Sequence, residues 1–523
     1  MLRIVCAAGT LGLTPVPAVA QLSPLPGSMA WERARDASSG TGRLASSGAD
    51  ISLRSLADGQ DRFTVSGVAV RSTWNSSLPH SLNDGAYWAG RGLGSQISVA
   101  LGARHKRLSL VFAPQLWYAQ NDGYEVRPSS EPDKSPFASP WYSGRVSADL
   151  PSRFGNESIV AWDLGESALR FSFDDVAVGV STETLWWGPG RESALVLSNN
   201  AGGIPHAFVE APAIETSLGT VGGRLIMGAL SESRFFDRSP ENDTRAISGM
   251  VLTLDVGEAD GFALGVARTV VSPVDGPGGI WGHALDAVTA WDRVPEDPAE
   301  TPDTDQLISF FGQFQNPEGG LTAWAEWARL DPPTSLREML EAPHHTQAWT
   351  LGVGWASDRR ASDGFTDVVF EVSTVEQSTV LRHLPDPVDY YTGRATPQGM
   401  TQRGQALGAA AGPGSSTQFL GVRRVSPTRS IGFSLGRIRW ANDALYRQPS
   451  ANFFRHDVSL IASVSGDLAL DAYLVGVRVT AGRRYNYLFQ NGSANPGGLR
   501  TVDVENLTVQ VDVTARGKLW GVR

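Results

Sequence analysis

Cysteine is almost missing from this 523-residue chain: Cys6 is the only one. It lies in an N-terminal stretch that reads as an export signal. Arg3 supplies the positive start, Ile4 to Ala20 is mostly small and apolar, and Ala18-Val19-Ala20 precedes Gln21 as a small-residue cleavage site. Pro15 and Pro17 make the stretch a poor helix, and it falls short of the roughly 20 apolar residues of a membrane span. Only five residues precede Cys6, too few for a lipoprotein signal. With residues 1–20 removed no thiol remains, which excludes disulfide frameworks, thiol nucleophiles and Cys-ligated metals together. Long apolar runs are lacking too: after residue 20 no run of about 18 appears, so no transmembrane helix is expected. Positive charge is in deficit, 44 Lys and Arg against 54 Asp and Glu, and the net −10 becomes −11 once Arg3 is lost. A polyanion-binding surface over the whole protein, and nucleic acid as a partner, are not expected from such a balance. No G-x-S-x-G elbow, H-E-x-x-H pair or P-loop occurs. A Ser–His pair distant in sequence could still exist, with His206 near Asn199 and Asn200 its best candidate, but nothing local marks a nucleophile. Neither an enzyme nor a cofactor is expected.

What the chain has in quantity is tryptophan, 16 residues, together with 57 glycines. Aromatic belts at two membrane interfaces would use the tryptophans. From about residue 62 the dominant period is two. Val458, Leu460, Ala462 and Val464 alternate with Asp457, Ser459, Ile461 and Ser463, and Leu507, Val509, Val511 and Val513 with Thr508, Gln510, Asp512 and Thr514. Trp349, Leu351, Val353 and Trp355 repeat the pattern. Such alternation marks half-buried strands, which a soluble sandwich also has. Three features favour a membrane barrel instead. Many segments run 9 to 13 residues, near the roughly 9–11 that cross a bilayer on a tilt. Their polar face is rich in Gly, Ser, Thr and Gln. About 18 of them can be marked between residues 62 and 515, and an antiparallel array that long must close to leave no edge in lipid. The expected fold class is all-β, a closed antiparallel transmembrane β-barrel of about 18 strands spanning 62–523.

Connections alternate between short and long. Gly466-Asp467 and Pro427-Thr428 are expected as tight reversals, whereas 121–157, 272–305, 331–345 and 378–414 are long and rich in Pro, Gly, Asp and Ser. Short turns would face the periplasm and long loops the exterior. Ser335 and Glu338 form a capping box ahead of Met339 and Leu340, predicting a short loop helix. Residues 21–61 are polar and read as a short periplasmic segment with helical hints. The chain ends Trp520-Gly521-Val522-Arg523, one step removed from the terminal aromatic that barrel-insertion machinery commonly reads.

The sharpest local sequence is Trp186-Trp187-Gly188-Pro189-Gly190-Arg191-Glu192-Ser193, followed by Leu195-Val196-Leu197-Ser198-Asn199-Asn200-Ala201. Gly-Pro-Gly forces a turn, and paired Asn residues offer amides to backbone or ligand. A second block reads Arg403-Gly404-Gln405-Ala406-Leu407-Gly408, with Gly412 and Gly414 beyond it. The two blocks resemble the W-G-P-G…L-S-N-N-A and R-G-x-x-[LI]-G signatures of the capsule-assembly Wzi family, over roughly residues 62–515. Ala409 stands where the family often carries His, so no role of that His transfers. The resemblance implies an 18-stranded monomeric barrel of the bacterial outer membrane, occluded by its loops. It implies a lectin-like, non-catalytic binder that retains capsular or exopolysaccharide at the cell surface, with lipopolysaccharide and other outer-membrane lipid as its surroundings.

Sugar binding needs aromatic faces for ring stacking and polar groups for hydroxyls and acidic substituents. Trp186, Trp187, Arg191, Asn199 and Asn200 could supply both, or could form an inward-folded loop pinned by its own amides. Tyr390 and Tyr391, with Arg394, are a second candidate or an aromatic pair at the outer membrane rim. Arg403 could bind an acidic sugar or pair with a loop carboxylate. The acidic stretch Asp292 to Asp305 lacks EF-hand spacing and reads as a solvated loop. His344-His345 point apart in a strand and make no metal site. The reading from another functional class is a porin with an open lumen, which barrel size alone does not separate from a plugged binder.

Overall fold

The computed structural model describes residues 45–47, 62–65, 67–142, 144, 147–174, 176–256, 261–291, 300–316, 318–333, 335–357, 363–377, 388–447, 455–490, 502–515 and 518–521. The expected signal at 1–20 and most of the expected periplasmic segment at 21–61 lie outside them.

The described chain is all-β, built on one large antiparallel sheet. Its first spans are each interrupted once: β1 (Arg62–Val65, then Ala69–Asn75), β2 (Gly92–Ser98, then Leu101–His105), β3 (Leu108–Phe112, then Gln115–Ala119) and β4 (Ile159–Asp163, then Ala168–Phe173). There follow β5 (Val176–Ser181), β6 (His206–Thr216), β7 (Gly219–Ser231), β8 (Thr244–Val256), β9 (Phe262–Pro273), β10 (Asp305–Asn316) and β11 (Leu321–Leu330). The series continues with β12 (Gln347–Ala356), β13 (Phe365–Thr374), β14 (Ser416–Val425), β15 (Arg429–Arg439), β16 (Val458–Ala469), β17 (Tyr473–Tyr485) and β18 (Val504–Ala515, then Lys518–Gly521). Each span pairs with the next in sequence, and β18 returns to β1, with Thr508 opposite Asn75 and Thr514 opposite Ala69. Lys518–Gly521 pairs with Arg62–Val65 and carries the ladder down to the end of the seam.

The burial pattern is inverted relative to a soluble sandwich. Leu252, Leu264, Phe310, Leu351, Ile431, Leu460 and Val464 face outward and are exposed. The alternate residues face the lumen, and many are polar yet buried, among them Arg71, Gln96, Arg224, Glu326, Glu371 and Asp512. Exposed apolar surface on this scale is costly in water and natural in lipid. The buried polar groups find partners, as buried groups must. Arg71 pairs with Asp84 at 2.6 Å and Arg224 with Glu183 at 2.5 Å.

Connections alternate strictly. One end of the ring carries tight turns, such as 106–107, 217–218 and 470–472, and the other carries 76–91, 120–158, 182–205, 274–304, 331–346 and 375–415. Pro427-Thr428 is a reversal as expected, closed by the Ser426 amide donating to the Arg429 carbonyl at 2.8 Å. Gly466-Asp467 is not. β16 runs through both residues, and Asp467 faces the lumen, where Ser430 Oγ donates to its carboxylate. The long connection expected at 272–305 is shorter at both ends, because β9 extends to Pro273 and β10 begins at Asp305. The predicted loop helix is present as Leu336–Glu341, with Ser335 accepting from the Glu338 amide at 3.2 Å. The reciprocal half of that capping box is replaced, since the Glu338 carboxylate turns to Arg329 at 2.5 Å.

Candidate functional site

Three connections from the long-loop end turn inward and pack against one another. Trp187, Leu195, Val196 and Leu197 of 182–205 join Tyr390, Tyr391, Leu407 and Ala409 of 375–415 in one buried cluster, walled by Ile226, Ile247, Phe311 and Ala328 of the ring. The two motif blocks, about 200 residues apart in sequence, are bonded directly to each other. The Ser198 amide donates to the Leu407 carbonyl at 2.7 Å, Ser198 Oγ to the Gly408 carbonyl at 2.7 Å, and Asn200 Nδ2 to the Ala406 carbonyl at 2.9 Å. The 76–91 connection joins through the Gly85 amide, which donates to the Asn199 carbonyl at 2.7 Å, and Asn199 Nδ2, which donates to the Asn83 carbonyl at 2.9 Å.

Two ring carboxylates hold this plug from the wall. Glu371 of β13 accepts from the backbone amides of Arg191 (2.6 Å), Glu192 (3.1 Å) and Ser193 (2.9 Å), and from Trp324 Nε1 (2.9 Å). Glu326 of β11 accepts from the Leu195 amide at 3.3 Å. Gly188, with φ +131°, passes so close to Glu326 that a Cβ there would sit 2.7 Å from a carboxylate oxygen. The Gly-Pro-Gly turn is therefore required both by its backbone angles and by the wall it approaches.

The expected site residues divide. Trp186 and Trp187 are buried, and Trp186 Nε1 donates to the Gly190 carbonyl at 3.0 Å within its own turn. Tyr390 and Tyr391 are 0% exposed, which corrects both readings made of them: they offer no face to a sugar and lie nowhere near an outer rim. Tyr391 OH donates to the Leu195 carbonyl at 2.8 Å and accepts from the Ala409 amide at 2.7 Å, joining both motif blocks through one hydroxyl. Burial pushes its phenol up, so it stays a neutral donor and acceptor. Arg403 pairs with Asp163 at 2.6 Å, a carboxylate at the interruption of β4. Arg394 and the next two residues give their amides to Asp305, at 2.7, 3.0 and 2.8 Å, so Asp305 is a buried clasp, not part of a solvated loop. Glu296 and Asp297 of that acidic stretch lie outside the described residues. His206 Nδ1 bonds the Ile204 carbonyl at 2.6 Å, and its Nε2 bonds Arg224 at 3.0 Å, so both ring nitrogens are engaged. His345 pairs with Glu338.

The plug leaves a cavity on each side. Toward the short turns a space of about 270 Å³ is lined by Arg191, Asn199, Asp367, Arg423, Asp467 and Arg478. Toward the long loops a cleft of about 320 Å³ is lined by Trp88, Tyr124, Trp141, Trp440, Tyr487 and Arg484. His80, Leu82, Ala410 and Ala411 touch both and form the partition between them. The upper cleft is the place where aromatic faces and a fixed cation converge. Arg484 is held by Asp457 through two bonds at 2.6 and 2.8 Å, and its guanidinium lies 4.8 Å from the ring centroids of both Trp440 and Tyr487. Trp141 packs edge-on against Phe489 at 5.2 Å. None of these aromatics stood out in the sequence. The one available signal was their position, since Tyr124, Trp141, Trp440 and Tyr487 all fall in connections or at strand ends.

No protein-family model matches this chain, and neither does a curated protein. Among solved structures it is similar to Wzi of Escherichia coli, described as an outer membrane protein involved in group 1 capsule assembly and a carbohydrate-binding β-barrel. The TM-score is 0.53 and the identity 12%, over 95% of this chain and 94% of that one. This is the fold of a bacterial outer-membrane β-barrel. OccK11 of Pseudomonas aeruginosa (TM-score 0.40, identity 7%, 88% of this chain and 96% of that one) and OccAB4 of Acinetobacter baumannii (0.38, 6%, 88% and 98%) are more distant.

Within this outer-membrane barrel the plug depends on one close approach that can be tested. A Cβ on Gly408 would lie 2.3 Å from Tyr391 Oη and 2.6 Å from the Leu195 carbonyl oxygen. Gly408→Ala must displace one motif block from the other, at about 1–3 kcal/mol for overpacking. We expect faster proteolysis within 182–205 and 388–415 while the heat-resistant barrel band on a gel persists. Unchanged cleavage would show that the two blocks tolerate separation.

Proposed function

We propose that this protein is a plugged, monomeric, non-catalytic barrel of 18 membrane-crossing strands that binds capsular or exopolysaccharide at the cell surface. The observation that carries the reading is the aromatic cleft at the long-loop mouth, sited above a lumen filled by packed, bonded loops. Partly exposed Trp88, Trp141 and Trp440 supply ring faces for sugars, and Arg484 supplies a fixed cation for an acidic substituent. The pairing order that closes on itself, apolar outside and polar inside, supports a membrane-crossing barrel. The carbohydrate-binding description of Wzi supports the ligand class.

Loss of the gene should release polysaccharide from cells into the medium, measured as uronic acid or total hexose in cell-free supernatant. The purified barrel should co-sediment with that polysaccharide. Unchanged cell-attached polysaccharide together with no co-sedimentation would remove this reading. A second reading, a porin for passive diffusion of small solutes, draws on the lining residues shared by the two cavities, since displacement of His80 and Leu82 would connect them. Stable large conductance of the wild-type protein in a planar bilayer would favour it.

A further inference from the structure

Not every long connection turns into the lumen. The turn of 3-10 helix Pro277–His283 and α1 (Asp286–Thr289) lie on the outer wall of the ring, against β7, β8 and β9. The register shows this. Ser248, Val270, Arg268 and Ser272 share a face with the exposed Leu252 and Leu264, yet all four are buried. Ser248 Oγ donates to the Ala284 carbonyl and accepts from the Ala287 amide, both at 3.1 Å. Arg268, outward-facing and only 1% exposed, donates to the carbonyls of Ala287 (2.8 Å) and Ala290, the unpaired C-terminal acceptors of α1. α2 (Leu336–Glu341) repeats the device: outward-facing Arg329 of β11, 3% exposed, holds its Glu338 at 2.5 Å.

The far side of these segments is apolar and uncovered. Trp281 (72%), Leu285 (55%), Val288 (49%) and Trp291 (59%) are exposed on the first, and Leu336 (75%) and Leu340 (74%) on the second. A height argument says what meets them. Along β16 and into its turn, in another part of the wall, exposed outward residues run from Leu460 to Leu470. Ten steps at about 3.3 Å, tilted about 40°, span roughly 25 Å, the height of a barrel's apolar band. On β8 the uncovered outward residues run only from Met250 to Val256, and on β9 from Phe262 to Val266. Six steps on β8 give roughly 15 Å and four on β9 roughly 10 Å, which leaves about 10–15 Å of the band unaccounted for, close to the diameter of a helix lying flat.

We propose that Pro277–Trp291 and α2 lie in the plane of the membrane on the long-loop side, with Trp281, Leu285, Val288, Leu336 and Leu340 immersed among lipid acyl chains. The band over β8 to β11 is completed by these segments rather than by strand residues. Trp291 and the exposed Arg337–Glu341 pair (2.7 Å) mark the headgroup level. Arg268 and Arg329 are the anchors, their charge shielded from lipid by the segments they hold. The inference rests on the outer-membrane reading of the fold.

Nitroxides placed on Leu285→Cys, Leu340→Cys and, at the centre of the strand belt, Leu264→Cys test it in a Cys6→Ser background. The full chain is reconstituted in phosphatidylethanolamine–phosphatidylglycerol vesicles. All three positions should be more accessible to oxygen than to a water-soluble nickel chelate. If Leu264 has this lipid signature while Leu285 and Leu340 are open to the chelate, the in-plane proposal fails and the barrel stands. If Leu264 is itself open to the chelate, the membrane reading fails first. Spin–spin broadening between Leu285 labels of different copies would instead assign this face to self-association and overturn the proposal. Arg268→Ala should raise chelate access at Leu285 and leave Leu264 unchanged, and no change at Leu285 would deny Arg268 its anchoring role.

Discussion

Glu371→Ala should turn a closed barrel into a leaking one. The carboxylate serves three consecutive backbone amides, from Arg191 to Ser193, and the indole of Trp324. Removing it strands two buried donors, the Ser193 amide and the Trp324 indole, at about 1–3 kcal/mol each, and two partly buried amides besides, while the strand ladder around β13 is untouched. The cheapest relief is for 186–198 to leave the wall, which also frees the second block, bonded through Ser198 at Leu407 and Gly408. Single-channel recordings should show conductance steps absent from the wild type. Glu371→Gln, with one acceptor oxygen in place of two, should leak less. A silent Glu371→Ala barrel would mean that the plug is held by its apolar cluster alone.

Trp440→Ala should cost at least tenfold in affinity for cell-surface polysaccharide, about 1.4 kcal/mol or more, as expected for a central aromatic anchor. Its indole is fixed by Nε1 donating to Ser459 Oγ at 2.8 Å and lies beside the guanidinium of Arg484, so it is presented rigidly to the cleft. Trp162→Ala, on the lipid-facing wall and 71% exposed, is the control and should bind normally. Equal binding by both variants, measured by co-sedimentation with each barrel shown to be folded by its heat-modifiable migration, would move the site away from the upper cleft.

The strands were legible because a wall with lipid on one side and a lumen on the other imposes a period of two, and residues such as Leu460 and Val464 carry it openly. The error at Gly466-Asp467 has the same origin: a lumen-facing position tolerates the residue types that make turns, and composition does not separate the two. The inward fold of the Trp186–Ala201 block could be read as one of two alternatives from its Gly-Pro-Gly and paired Asn residues. That Tyr390 and Tyr391 would be its packing partners could not, because nothing near them in sequence records a contact with Leu195.

By itself the sequence determined the β class, the approximate span lengths, the long connections, and the two blocks that needed glycine and amide chemistry. These are properties of neighbouring residues, set by backbone sterics and side-chain alternation. Only the tertiary structure decided which aromatics face a cleft, which arginines are anchors, and which long connections enter the lumen or lie against the outer wall. Closing β18 onto β1 brings Trp88, Trp141, Trp440 and Tyr487 together across hundreds of residues, and no local pattern encodes a meeting that only ring closure creates.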